Sequence, residues 1–351
     1  MNKKAVFLAH WVEPWNVLLL WFPFLNSRPE LRWVFFWLWP VCWAVSLLWL
    51  FGKRSHDVVD DFEVCDPVDP GCGYGRIALI RAFGWHFFIP SRRDQIRDKI
   101  LRAVLALQDG ASVIGLGALN KDKKVSDGGA LIVKELGDRL RVPIVHGDTL
   151  TAVVVIKQVL ALIEKYQIAT PVFLTGSTSK IGRATAIKLA QLGIRVLMYT
   201  QDRERFEAIA KEAGDEASKF LQWSPLLSDG LGCSLWVTGK AVPAGSDLYR
   251  YIPRGGVVLN FAVPNPLNQW DARCRRDLIL ISGGLLAYDP KQINIHFSMR
   301  LPRGLTYACH AGTIVHSLEG WSHHEVGPVD INKLDEVWEA SRRAGFKLPE
   351  I

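Results

Sequence analysis

The sequence predicts an α/β protein in which a Rossmann-like, doubly wound nucleotide-binding domain is joined to a smaller amino-terminal α/β domain, a carboxyl-terminal helical segment and an amino-terminal hydrophobic membrane anchor. Three observations lead there. Pro171 to Phe206 reads as strand, glycine turn, helix and strand; strand-like runs alternate with helical spacing on both sides of it; and eight of the 14 tryptophans fall between residues 11 and 49.

In the first stretch, Val172, Phe173 and Leu174 form an apolar run of strand length. Ala184, Ile187 and Leu189 then keep helical spacing, and Val196 to Tyr199 returns to a strand pattern. Gly176, Ser179 and Gly182 give the turn the pattern G-x-x-S-x-x-G. Glycines at such a turn let the backbone approach a pyrophosphate, whose charge is stabilised by free N–H groups at the helix start. Serine in the middle narrows that approach and adds a hydroxyl donor. The candidate cofactor-binding residues are Thr175, Gly176, Ser177, Thr178, Ser179, Lys180, Ile181 and Gly182.

After the second strand an NAD site carries an acidic residue for the ribose 2′-hydroxyl. Here the chain reads Tyr199, Thr200, Gln201, Asp202, Arg203, with Arg205 beyond. Hydroxyl, amide and guanidinium groups at that place favour a 2′-phosphate, so NADPH is the expected cofactor and Arg203 its phosphate contact. The alternatives are Asp202 as a ribose carboxylate one residue late, and Arg203 and Arg205 as solvated helix residues.

The chain of 351 residues is too long for one ordinary core. Val17 to Leu25 and Trp33 to Phe51 are apolar stretches, the second 19 residues without a charge, close to the length of one bilayer crossing. No small-residue cleavage site follows a short apolar core, which argues against a secretory signal. Lys53, Arg54 and His56 then form a positive flank that places the remainder on the cytosolic side of a membrane, that of the endoplasmic reticulum in a eukaryote. The expected organisation is an anchor at 1–52, a linker at 53–75 rich in Asp, Pro and Gly, a small α/β domain at 76–150, the nucleotide domain at 151–300 and a helical segment at 301–351.

Within the small domain, Ile96, Ile100, Leu101, Val104 and Leu107 share one helical face, with Ser91 as the expected cap, and Val113 to Leu116 and Val142 to Val145 read as strands. Ser234 to Thr238, Gly256 to Asn260 and Asp277 to Ile281 continue the nucleotide domain. Gly239 and Gly283-Gly284 lie at strand carboxyl ends, where open α/β sheets bind ligands and where ordinary turns also need glycine.

Beyond residue 52 the chain holds 38 Lys and Arg against 33 Asp and Glu, an excess without a basic stripe. Nucleic-acid binding wants such a stripe, so no nucleic-acid partner is expected. The six cysteines contain no C-x-x-C pair and the nine histidines no H-x-x-x-H or H-x-x-H-H array. Neither a zinc framework nor a di-iron centre is expected, and the metal assignment is none. His323-His324-Glu325 reads as a structural loop contact.

Cys309, in Tyr307-Ala-Cys-His-Ala-Gly-Thr, falls near the start of a predicted helix, where a thiolate is favoured by the helix dipole. His310 is adjacent and His316 two helical turns on. The candidate catalytic residues are Cys309, His310 and His316. A cysteine in an Ala/Gly/Val helix is equally a small core residue.

The segments VIGLGALNK, VPIVHGDTLTAVVV, VFLTGSTSKIGRATA and ACHAGTIVHSLEGWSHHEVGPVDINKLDEVWEA resemble the carboxyl-terminal domain of the plant eceriferum/WAX2-type proteins of cuticular wax and alkane synthesis, over roughly residues 75–351. They are more distantly similar to cyanobacterial long-chain acyl-carrier-protein reductases, in which a cysteine ahead of Glu-Gly-Trp carries the acyl group. Cys309 matches that cysteine, Ala311 is in step, and Glu319-Gly320-Trp321 follows; Gly312 stands where that family has Glu, so Glu319 or a histidine is left to take over its role. The resemblance implies a membrane-anchored, NADPH-dependent reductase turning a long-chain acyl-CoA or acyl-ACP into a fatty aldehyde through an acyl-cysteine. Membrane lipid and an alkane- or wax-forming protein are its implied partners. A non-catalytic partner of such a complex, with a vestigial nucleotide fold, is the alternative. A short-chain alcohol dehydrogenase is excluded by the lack of a Tyr-x-x-x-Lys pair after the nucleotide unit.

Overall fold

The computed structural model describes residues 4–12, 31, 39–65, 72–239, 248–262, 274–297 and 299–350. The chain divides into two compact units. The first comprises residues 1–147, 289–303 and 313–327, the second 148–288, 304–312 and 328–351.

The first unit is built on a five-stranded sheet in the order β2-β3-β1-β4-β5. β1 (Lys4–Trp11) runs parallel to β3 (Cys72–Phe83) and β4 (Val113–Leu116), and β4 runs parallel to β5 (Ile144–Val145). β2 (His56–Cys65) pairs antiparallel at the edge. β1 is almost uniformly buried, as a strand covered on both faces requires. β2 alternates instead, with Asp60, Phe62 and Val64 inward and Asp61 outward, where it pairs with Arg76 of β3 at 2.6 Å.

Helix α1 (Trp39–Phe51) reaches the core through Leu50, and α2 (Arg93–Leu107) does so through Ile96, Ile100, Ala103, Val104 and Leu107. Full burial stabilises each of the larger side chains by about 1.5–3 kcal/mol, an upper bound against a compact unfolded chain. Leu101, expected on the same face, is only partly buried. The expected cap Ser91 lies in a 3-10 turn, and the residue at the cap of α2 is Arg92, which makes no side-chain cap bond.

The sequence reading is corrected here in two places. Residues 4–11, included in the expected anchor, form the central strand of the five-stranded sheet. Part of the expected linker is β2 and the start of β3. No described helix is long and apolar enough to cross a membrane; α1 has 13 residues. Val17 to Leu25 and most of Asn26 to Leu38 lie outside the described residues.

The second unit holds six parallel strands: β6 (Val172–Thr175), β7 (Val196–Tyr199), β8 (Leu221–Ser224), β9 (Leu235–Thr238), β10 (Val257–Asn260) and β11 (Ile279–Ser282). Their order, β11-β10-β9-β6-β7-β8, is the 3-2-1-4-5-6 arrangement of doubly wound dinucleotide folds read from the β8 edge. The chain reverses direction across the sheet between β6 and β9, and the carboxyl ends of those strands open the crevice. α3 (Ala130–Leu136) belongs to the first unit; α4 (Asp148–Lys165), α5 (Lys180–Gln191), α6 (Arg203–Ala213) and α7 (Asp215–Ser218) belong to the second. On α5 the expected inward residues Ala184, Ile187 and Leu189 are fully buried.

A short antiparallel pair, β12 (Leu285–Ala287) with β13 (Leu305–Tyr307), leads into α8 (Ala308–Leu318), and α9 (Leu334–Arg343) closes the chain against α4. The segment expected to be one carboxyl-terminal piece is thus divided: residues 304–312 and 328–351 fold with the second unit, 313–327 with the first.

Candidate functional site

The carboxyl edge of the six-stranded sheet gathers the predicted residues. Thr175 ends β6 with its hydroxyl buried and without a partner, and Gly176 turns the chain in the left-handed region at φ 67°. Ser177 Oγ donates to the Tyr199 carbonyl at 3.1 Å, tying the turn to the neighbouring strand. Ser179 N–H donates to the Gly176 carbonyl, and Ser179 Oγ accepts from Gly182 N–H at 3.1 Å, so the serine is the cap of α5. A Cβ on Gly182 would stand 2.2 Å from the Gly176 oxygen, which is why glycine is needed there. Thr178 completes the turn, and Lys180 and Ile181 begin the helix.

At the ends of β7 and β8 the alternatives left open by the sequence separate. The Asp202 carboxylate caps α6, accepting from Arg205 N–H at 3.1 Å, and pairs with the Arg205 guanidinium at 3.0 Å. It is engaged with its own helix. The Arg203 guanidinium lies over the Trp223 ring, 5.2 Å from its centroid, and is paired with Glu207 at 2.9 Å. Trp223 Nε1–H donates to the Thr200 carbonyl, which fixes the indole. Trp223 escaped the sequence reading because β8 did: Gln222 and Trp223 are not buried, so the strand has no apolar run.

The other half of the sheet leads to the thiol. Thr238 Oγ1 donates to Asn260 Oδ1 at 2.8 Å across the ends of β9 and β10, and Gly239 N–H donates to the Thr175 carbonyl. Gly283 N–H donates to the Asn260 carbonyl at 2.7 Å, Gly284 sits at φ 70°, and its carbonyl accepts from Ala308 N–H at 2.9 Å. Helix α8 therefore starts beyond the end of β11, and its second residue is the part-exposed Cys309. The glycine pair at 283–284 is what lets the backbone turn there. Thr238 and Asn260 were missed, although a polar residue closing an apolar strand was a signal that could have found them.

The two histidines take different places. His310 is 1 % exposed, its Nδ1 hydrogen-bonded to Thr306 Oγ1 at 2.9 Å, and burial pushes its pKa down to about 3. It is a neutral group inside the second unit. His316 belongs to the first unit, with its ring against Trp321 and His323 at centroid distances of 5.4 and 4.9 Å, and burial pushes it down to about 4. Neither supplies an imidazolium near neutral pH. Glu319 follows the last residue of α8.

His324 and Glu325 are structural. His324 Nδ1 accepts from Ile144 N–H at 3.0 Å, and Glu325 pairs with the buried His146 at 3.1 Å, so both stitch their segment to β5. No group of three or more metal-ligating side chains converges among the described residues.

Residues 172–348 match the family model described as "CER1-like, C-terminal domain". The chain is 35% identical to the very-long-chain aldehyde decarbonylase GL1-1 of Oryza sativa subsp. indica over 98% of this chain and 53% of that protein. It is 34% identical to GL1-2 of the same plant, also named a very-long-chain aldehyde decarbonylase, over 88% of this chain and 46% of that protein. The chain thus spans about half the length of the relatives it matches. Among solved structures, L-tryptophan dehydrogenase from Nostoc punctiforme aligns over 97% of this chain and 79% of its own, at 10% identity and a TM-score of 0.39. That likeness is too slight to carry weight, and the fold assignment rests on the strand order. The resemblance to the plant wax proteins is borne out. The expected aldehyde-forming acyl-thioester reductase is overturned: the relatives are named for decarbonylation of an aldehyde, a different reaction from the one expected.

Proposed function

This chain belongs to the CER1-like family, and we propose that it is the nucleotide-fold part of a very-long-chain aldehyde system in wax and alkane formation, holding the aldehyde on Cys309 beside a bound NADPH. The observation that carries this reading is the position of the thiol. Cys309 is part-exposed, lies in the first turn of an eleven-residue helix, and follows a residue hydrogen-bonded to Gly284 at the ligand-binding edge of the sheet.

At that place a thiol adds across an aldehyde carbonyl. A sulfur–carbon bond forms, the carbonyl π pair moves to oxygen, and oxygen takes the proton that the thiol gives up. The product is a hemithioacetal, and no electrons are gained or lost. The amino end of α8 favours negative charge first on sulfur and then on the developing oxyanion. His310, held neutral, takes no part in that charge balance.

The residues fit a dinucleotide. The turn from Gly176 to Gly182 would hold the pyrophosphate, with the Thr175 hydroxyl buried beside it and lacking a partner. Arg203 on the Trp223 ring would hold the adenosine end with its 2′-phosphate, while Asp202 caps its own helix. When bound, NADPH supplies hydride.

Calorimetry with NADPH and NADH tests the cofactor: NADPH binds more tightly, and Arg203→Ala loses about tenfold of its affinity while leaving NADH unchanged. Iodoacetamide labelling tests the thiol: a very-long-chain aldehyde slows alkylation of Cys309 and of no other cysteine. One observation favours a second reading, a partner protein that keeps only the fold. Ser179 takes the Gly182 N–H that would otherwise face a phosphate. Absence of binding by either dinucleotide would support it.

A further inference from the structure

We infer that the first unit docks on an anionic bilayer surface through the outward face of α1 and the turn that follows β3. Pro40, Ala44, Leu48 and Phe51 are all exposed and recur at spacings of four, four and three, so one side of α1 is an unbroken apolar stripe facing outward. Leu48 is 69% and Phe51 54% exposed, and Phe88, after β3, is 66% exposed. The opposite side of the helix is spent on the core, where Leu50 is fully buried. A helix apolar on both sides has a second apolar partner to find.

Charge identifies that partner. Residues 48–54 and 81–93 contain Lys53, Arg54, Arg81, Arg92 and Arg93 and no acidic residue. The Arg92 guanidinium lies over the Phe51 ring at 4.6 Å, so a cation sits on an aromatic group of the patch, and that of Arg81 lies over the partly buried Trp49 at 4.9 Å. Arg81 and Arg54 are also paired with Asp57, at 2.8 and 3.4 Å; the exposed Lys53 and Arg54 flank the end of the stripe. Apolar and aromatic groups rimmed by Arg and Lys fit the boundary between acyl chains and anionic headgroups. A second copy does not fit, because a face-to-face pair would set the two basic rims against each other.

The face is held in shape before any membrane is met. Lys99 Nζ donates to the carbonyls of Gly52 and Arg54 at 2.8 Å each, Gln95 to that of Leu50 and Arg102 to that of Lys53. Side chains of α2 thus hold the Leu50 carbonyl of α1 and three carbonyls of the segment that follows it.

Flotation of the full chain with vesicles tests this. The chain is expected to float with vesicles of phosphatidylcholine and phosphatidylserine, to float at least tenfold less with phosphatidylcholine alone, and to be released by salt. The triple variant Leu48→Asp, Phe51→Asp, Phe88→Asp, shown folded by circular dichroism, is expected to lose flotation at least tenfold. A second variant, Lys53→Gln with Arg54→Gln, keeps the apolar face and weakens only the phosphatidylserine dependence. Full flotation of the triple variant would overturn the inference by placing attachment elsewhere. So would a wild-type dimer that the triple variant dissolves and that no vesicle recruits.

Discussion

Two helices begin at the carboxyl edge of the same sheet in the second unit, and they begin differently. α5 opens on a hydroxyl, with Ser179 closing over the Gly182 N–H and Gly176 turning at positive φ. α8 opens on a backbone bond: Ala308 N–H is taken by the Gly284 carbonyl, and the next side chain is a thiol. The same backbone feature, a field that favours negative charge, is offered at one end to an anion that arrives and at the other to a nucleophile that stays. Strand order puts both on one edge; the residue after each turn decides what each does.

The largest expected effect tests whether α5 is pressed onto its turn. In a helix, Gly→Ala ordinarily stabilises by about 0.5–1 kcal/mol. At Gly182 the new Cβ would meet the Gly176 oxygen, so Gly182→Ala should instead destabilise by roughly 1–3 kcal/mol and abolish NADPH binding, measured by urea denaturation and calorimetry. A stabilised variant that still binds would break the comparison.

Acid should separate the two helix starts. His310 packs beneath the first turn of α8 as a neutral imidazole, its pKa lowered to about 3 by burial, against about 6.5 when unfolded. Its contribution is whole above pH 6.5, where both states are neutral. It is lost as pH falls toward 3, because only the unfolded state takes the proton, at about 1 kcal/mol per pH unit. Hydrogen exchange between pH 7 and pH 5 should show the start of α8 loosening more than the start of α5, and His310→Asn should flatten that dependence. The smallest effect is that of Ser179→Ala, which should cost about 1 kcal/mol through loss of the cap while NADPH affinity does not fall, since the Gly182 N–H is released to the phosphate.

Much of the second unit could be read from residues alone because fully buried parallel strands and a glycine turn leave short, distinctive patterns; Val172 to Thr175, Val196 to Tyr199 and Val257 to Asn260 lie where their apolar runs place them. The same physics misled at the amino terminus. The central strand Lys4–Trp11 is mostly apolar and buried, and lying just ahead of a Trp-rich stretch it falls within the expected anchor. β8 was hidden for the opposite reason, since half of it faces outward. At the site, the glycines were legible but their use was not: only pairing shows that Gly284 receives the start of α8 and that Asp202 is consumed by its own helix.

The direct test of the central claim is carbon-13 NMR of a very-long-chain aldehyde labelled at its carbonyl carbon and added to the full chain. The labelled carbon should move from the carbonyl region to that of a tetrahedral carbon bearing sulfur and oxygen. The shift should vanish in Cys309→Ser, whose stability should stay within about 1 kcal/mol of the parent because the side chain is part-exposed. An aldehyde that keeps its carbonyl resonance while bound, or an adduct that persists without the thiol, would contradict the account.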